Sequence, residues 1–414
     1  MGDRRSGDRA MAEHGRSRDR ARDELSTPTA ALSSHATALS SHAAFARSRD
    51  RPMHCHGPIT RSAIAYDSAA AAEAEMQTKQ LECSPVPTID FHNHYYPPEY
   101  LAALAPSGSS LHITTDADGN PVVHYPGDYN VMVPGHRDIA YRKTVLDEQG
   151  VDTQVISLTT PGTHVDPPKI AARLAAITND AFAKVRADYG TRFVPLATLP
   201  LNDPATSVKE FQRATDELGM PGAMLFSNVN GTGLDDQQFW PLYEAANDRG
   251  AVMMIHPTYP LGVEAMREYW LMPLNGFLFD TTLAASKLVF SGVCKRYPKI
   301  KWVLGHLGGT IPYLAERLDR GWRAFPDCRV HIDEPPTAYL KRHFWYDTVN
   351  FAQGPLKLAI DFAGADRILA GSDYPHKIGS IPLMLEALRA LPISDHDKAG
   401  ILGRNAESLL GPGR

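Results

Sequence analysis

Cysteine is scarce and poorly placed for a structural role. Cys55, Cys83, Cys294 and Cys328 lie far apart in 414 residues and form no CxxC pair. This argues against a disulfide framework and a cysteine zinc centre, and it suits a reducing cytoplasm. No window approaches the ~20 apolar residues of a membrane span. The basic N-terminus has no apolar h-region behind it, so the chain reads as neither secreted nor anchored. An excess of one charge sign is lacking too. A formal net charge of -5 leaves no electrostatic footprint for nucleic acid or an anionic membrane, and a small molecule becomes the expected partner. No GxGxxG follows an early strand, which counts against a doubly wound open sheet, the alternative fold.

Large apolar residues are sparse before residue 87. The Arg/Asp-rich start, the near-duplicate "TALSSHATALSSHAAF" and the run "SAAAAEAEM" would bury too little surface to offset chain entropy. Residues 1–86 are therefore expected to be a disordered extension, with His54 and His56 of "HCH" no more than adventitious metal ligands. From residue 87 to 414 the pattern is regular. Strand-like runs at "TIDFHNH", "TQVISLTT", "RFVPLATLP", "GAMLFSN", "AVMMIHP", "KWVLGHLGG", "HFWYDTVN" and "RILAGSDYP" alternate with helical patterns. Eight strand–helix units over ~320 residues predict a (β/α)8 TIM barrel. A segment from about Ala105 to Arg137, after the first strand, predicts a small β excursion over the barrel mouth.

The remaining question is where the histidines fall. His92 and His94 end the first strand at i and i+2, so both imidazoles share a face. His256 ends the fifth, His306 the sixth and Asp373 the eighth. C-terminal strand ends are where barrel enzymes assemble their sites. A lone HxH is commonly incidental and a lone strand-end Asp commonly a helix cap; their joint placement points to a metal site. Neutral imidazoles with a carboxylate suit a divalent ion such as zinc.

Here the chain resembles the amidohydrolase superfamily, in its aminocarboxymuconate-semialdehyde decarboxylase-like branch. The likeness runs from Pro87 to Gly411 through "GVDTQVISL", "RFVPLATLPL", "ELGMPGAMLF", "IHPTYP", "YPKIKWVLGHLGGTIPYLAERLDRG", "AGSDYPH" and "ILGRNAESLLG". The resemblance implies that His92, His94, His256 and Asp373 bind one metal, usually zinc, with manganese as the alternative. It implies that His306 is the catalytic base or acid, with Asp373 able to share the proton, and that the protein is a homodimer or higher homo-oligomer. The fourth strand ends "LFSNVN", without the lysine or glutamate of two-metal relatives, so one ion is expected.

The resemblance favours non-oxidative decarboxylation of a small unsaturated or hydroxylated aromatic carboxylic acid. The residues alone leave open hydrolysis of a lactone, amide or ester at the same site. A metal-stabilised barrel serving only as a binding protein is disfavoured because all five site positions are intact. The chain departs from the branch where substrate carboxylates are gripped: His124 and Phe325 stand near positions that relatives give to arginine, with Arg323 close enough to compensate. Tyr259, Trp270, Phe277 and Phe279 are candidates for an aromatic wall, and His376 for a pocket contact.

Overall fold

The computed structural model describes residues 86–411 except 105–108, 110, 126 and 127. The expected N-terminal extension thus lies outside the described residues, apart from Val86.

Every residue of β1 (Ile89–His94) is buried, as a strand covered on both faces requires. Three antiparallel strands follow, β2 (His112–Thr115), β3 (Pro121–Tyr125) and β4 (Asp128–Val131), the expected β excursion. The parallel strands resume with β5 (Thr153–Ser157), β6 (Phe193–Pro195) and β7 (Gly222–Phe226). A short ribbon, β8 (Asn228–Val229) with β9 (Thr232–Gly233), precedes β10 (Val252–His256), β11 (Lys301–Leu304) and β12 (Phe344–Tyr346). One parallel sheet orders β1-β5-β6 and another β12-β11-β10-β7. Single parallel bridges join them: Ala197 with Ala223, Tyr346 with Ile368, and Asn93 with Tyr374. The pairing therefore returns to β1.

The expected eighth strand, "RILAGSDYP", exists only as the last two of those bridges and a few bonds, such as Phe91 N–H to the Ala370 carbonyl at 2.7 Å. It leaves the extended conformation at Asp373, whose φ is 57°. The N–H groups of Ser372 and Asp373 both turn to the His92 carbonyl, at 3.1 and 2.8 Å. Gly371 must be glycine here, because a Cβ would stand 2.8 Å from the His92 Cβ and 3.1 Å from the Asp347 Cβ.

Local chemistry sets the helices between strands. Pro168 begins the helix Pro168–Tyr189, where proline's missing N–H costs nothing. Leu174, Thr178, Phe182 and Val185 then recur on its buried face. Asp138 and Asp203 cap the helices Ile139–Gln149 and Pro204–Asp216 by accepting from Tyr141 and Thr206 N–H groups. The result is the mixed α/β alternation read from the sequence.

Candidate metal centre and active site

The strand ends bring the expected side chains together. His92 Nε2 lies 3.0 Å from His94 Nε2. Asp373 Oδ1 lies 3.5 Å from the first and 3.2 Å from the second. The His256 ring stands 5.3 Å from that of His92 and 4.7 Å from that of His94. One ligand atom from each of these four buried residues falls within 4.8 Å of the others. Ligand atoms around an ion bound at about 2.1 Å sit roughly 3–3.5 Å apart, so the spacing fits. His306 stands alongside, its Nε2 4.0 Å from Asp373 Oδ2.

Hydrogen bonds at the far ring nitrogens fix the tautomers. His256 Nδ1 faces the Pro257 carbonyl at 2.7 Å and must donate to it. Ser157 Oγ donates to the Asn93 carbonyl, so at 3.3 Å it accepts from His94 Nδ1. His92 Nδ1 bonds the Asp347 carboxylate. Each neutral ring then presents an Nε2 lone pair to the centre, where Asp373 Oδ1 is buried without a hydrogen-bond partner. Inward lone pairs and a carboxylate repel one another unless a cation lies among them, so the donor set fits a divalent ion.

The surroundings reinforce this. Burial, then the other imidazoles, holds His94 and His256 well below the ordinary histidine range. Burial also lowers His306, aided by His92 and only partly opposed by Asp373. His92 differs: burial works against its charge, but Asp347 outweighs that and raises it. For Asp347 burial acts upward, yet His92 and the hydrogen bonds hold its carboxyl below the usual value.

Asp347 is a residue that sequence reasoning missed. It follows β12 in "HFWYDTVN", at a C-terminal strand end like the other site residues, and that placement was the available signal. Arg142 was missed as well. Fully buried, it donates to the His94 carbonyl, to Asn93 Oδ1 at 2.8 Å, to Gln154 Oε1 at 2.9 Å and to the Gly135 carbonyl at 2.8 Å. It pins the end of β1 from behind. Asp90 does the same for strand eight, accepting from Ser372 Oγ at 2.6 Å and Gln154 Nε2 at 2.8 Å. On the fourth strand, Ser227 and Asn228 both bond Asp280, so the "LFSN" end is engaged away from the four ligands.

A cavity of about 1120 Å³ opens next to the cluster. Its wall includes Thr258, two residues beyond His256, and Thr160, next to the Thr159 hydroxyl that lies 3.2 Å from His256 Nδ1. The four cluster residues are not part of that wall. Tyr125, Tyr129, Tyr259 and Trp270 make much of it aromatic. Phe277 packs nearer the centre, 6.2 Å from the His256 ring and 6.3 Å from that of His306. His376 reaches 5.1 Å from His94 and 5.0 Å from His136, whose two ring nitrogens are buried without partners. Neither His124 nor Arg323 lines the cavity. His124 stacks on His112 at 4.6 Å and bonds Thr114 Oγ1 at 2.7 Å, while Arg323 is exposed at the end of the helix Ile311–Ala324.

Inward imidazoles and a carboxylate at the C-terminal ends of parallel strands, beside an aromatic cavity, define a metal-dependent enzyme with a divalent-ion site. The amidohydrolase family model matches residues 89–411, and the chain belongs to that family. It is 34% identical over 271 residues to the 2-amino-3-carboxymuconate-6-semialdehyde decarboxylase of Dictyostelium discoideum, covering 64% of this chain and 74% of that protein. It is 32% identical over 288 residues to a gamma-resorcylate decarboxylase of a Polaromonas species, covering 65% and 86%. A dihydroxybenzoic acid decarboxylase from Polaromonas, solved with manganese and the inhibitor 2-nitroresorcinol, superposes with TM-score 0.68 at 27% identity, over 80% of this chain and 98% of that one. The family and the carboxy-lyase class implied by the motifs are borne out by these relatives.

Proposed function

We propose that this protein is a metal-dependent, non-oxidative decarboxylase of a small hydroxylated aromatic or unsaturated carboxylic acid, built on a (β/α)8 barrel. The observation that carries this reading is the set of Nε2 lone pairs with Asp373 Oδ1, placed beside a cavity walled by aromatic side chains. His92, His94, His256 and Asp373 would hold one divalent ion, zinc or manganese. Bound there, it would supply Lewis acidity toward a carboxylate or phenolate oxygen of the substrate.

The rest falls to the chain's own side chains. In a hydroxybenzoate, the ring hydroxyl donates electron density to the carbon that bears the carboxylate. Protonating that carbon forms a C–H bond; the C–C bond then breaks, carbon dioxide leaves, and its electron pair restores the ring. His306 Nε2 and Asp373 Oδ2, 4.0 Å apart, flank a gap too wide for their own hydrogen bond and are our candidates to deliver that proton. Burial lowers His306, so the ring gives up a proton readily once it holds one. Trp270 would meet the substrate from the cavity rim, and Arg323 would reach a site only in a neighbouring copy, within the homodimer or larger homo-oligomer that we also propose. His124 would act through its stack with His112 and its contact with Tyr129, 5.9 Å away. A cytoplasmic location fits the scarcity of cysteine, and among the described residues no helix is long and apolar enough to cross a membrane.

The test is to incubate the zinc- or manganese-loaded protein with hydroxybenzoates in D2O. We expect one carbon dioxide per product and deuterium at the vacated ring carbon. Turnover of lactones or esters with no release of carbon dioxide from any acid would replace this reading with hydrolysis.

A further inference from the structure

We infer that Asp347 is a positioning residue that sets the metal ligand His92 and the proton-transfer residue His306 through one carboxylate; for the role of His306 this rests on the decarboxylase reading. Its Oδ2 bonds His92 Nδ1 and also accepts the His306 N–H at 2.9 Å. Its Oδ1 accepts the N–H groups of Leu307 at 2.8 Å and Val349 at 3.0 Å. The side chain is fully buried, so water does not compete for these bonds.

Two further features show that the segment needs such a hold. His306 and Leu307 have φ of 53° and 57°, a left-handed conformation that non-glycine residues avoid. Two consecutive residues of this kind persist only where their surroundings over-determine them, and the two N–H bonds to one carboxylate provide that constraint. His306 Nδ1 is buried without a hydrogen-bond partner, so no bond at its own ring orients the imidazole. The ring inherits its aim from the backbone, and the backbone from Asp347. Because the same oxygen also fixes the His92 ring, ligand and proton carrier keep a constant relation: their ring centroids stand 5.0 Å apart.

Asp347→Asn isolates the shared oxygen. The amide keeps one carbonyl for Leu307 and Val349 but turns an NH2 toward two N–H donors, those of His92 and His306. We expect a folded protein whose zinc affinity, measured by competition with a chromogenic chelator, falls by about 10–100-fold. At saturating zinc, kcat should fall on the order of 10²-fold with KM nearly unchanged, the size of effect that follows a misplacement of about 1 Å. Asp347→Glu, which keeps the charge, should recover part of both losses, and it decides the matter should the Asn variant not fold. Wild-type chelator competition in these variants would overturn the link to His92. Wild-type kcat at saturating zinc would overturn the link to His306. His306→Asn is assayed beside them: if it keeps full turnover, the proton-transfer role fails and that half of the inference with it, while the chelator result still decides the His92 half.

Discussion

Removing the proposed ligand His94 and the proposed proton carrier His306 should leave different traces, and His94→Ala with His306→Asn measures both. His94 is fully buried, with Nε2 3.0 Å from His92 Nε2 and 3.2 Å from the Asp373 carboxylate. Its loss takes away one of four protein donors. In the wild type, zinc at a thousandfold its dissociation constant should stabilise the fold by about 4.1 kcal/mol. With an unfolding entropy of about 2.1 cal/mol/K per residue over roughly 320 described residues, that corresponds to a rise in Tm of about 6 °C. Differential scanning fluorimetry with and without zinc should show this shift in the wild type and abolish it in His94→Ala, together with turnover. His306→Asn should keep the shift while turnover falls by about 10²–10⁴-fold. A His306→Asn protein that loses the zinc shift as His94→Ala does would make His306 a ligand, and the proton would then have to be moved by Asp373 or another residue.

Other perturbations address the frame around the site. Arg142→Met takes the donor from Asn93 Oδ1, Gln154 Oε1 and two carbonyls in the interior; urea unfolding should show a loss of about 3–5 kcal/mol, and a loss below about 1 kcal/mol would mean that this network does not support β1. Deleting residues 112–131 removes Tyr125 and Tyr129 from the cavity wall, so KM for an aromatic acid should rise while zinc content stays constant; unchanged kinetics would take the excursion out of the active site. Trp270→Ala should raise KM several-fold and His124→Ala by less, because Trp270 lines the cavity while His124 reaches its wall only through Tyr129; equal effects would contradict that distinction. A chain beginning at Leu81 should retain zinc and activity, since among the described residues the first hydrogen bond into the fold comes from Thr88 N–H to Asp152, at 2.7 Å; loss of folding in that chain would show that the N-terminal residues support it.

The positions of the four clustered residues were legible because strand periodicity and strand polarity are local properties. An HxH at a strand end puts two rings on one face whatever the rest of the chain does, and His256 ends an apolar run that forms the covered strand β10. Asp347 obeys the same rule, but no histidine stands beside it to mark the strand end as functional. Arg142 could not have been found that way. It sits inside the helix Ile139–Gln149 among exposed residues, and its burial arises because that helix packs across the end of β1, a tertiary fact with no periodic trace. The eighth segment reads as a strand in the sequence, and the structure gives it only isolated bridges. The left-handed turn at Asp373 that points its carboxylate inward is what breaks the ladder.

The same logic explains why so much charge is buried where a fold would ordinarily exclude it. Asp90, Arg142, Asp347 and Asp373 all lie within the wall around three imidazoles, and each isolated ionised group there would cost several kcal/mol. Three of them have dense partners. Asp90 takes three hydrogen bonds from Ser372 and Gln154, Arg142 makes five, and Asp347 takes three from backbone N–H groups besides its bond with His92. Asp373 is the exception, since its Oδ1 faces only ring nitrogens whose own protons are committed elsewhere. A framework that satisfies every supporting charge and leaves one carboxylate oxygen facing inward lone pairs is arranged to receive a positive charge. Burial opposes a charge on His92, but Asp347 outweighs it and raises this ring, so His92 is the imidazole here on which a proton competes most directly with an ion. Ion binding would then displace a proton from His92, so zinc affinity should weaken as pH falls through the His92 titration. Isothermal titration in buffers of different ionisation enthalpy measures that release directly, and binding with no net proton release across the acid range would refute the argument.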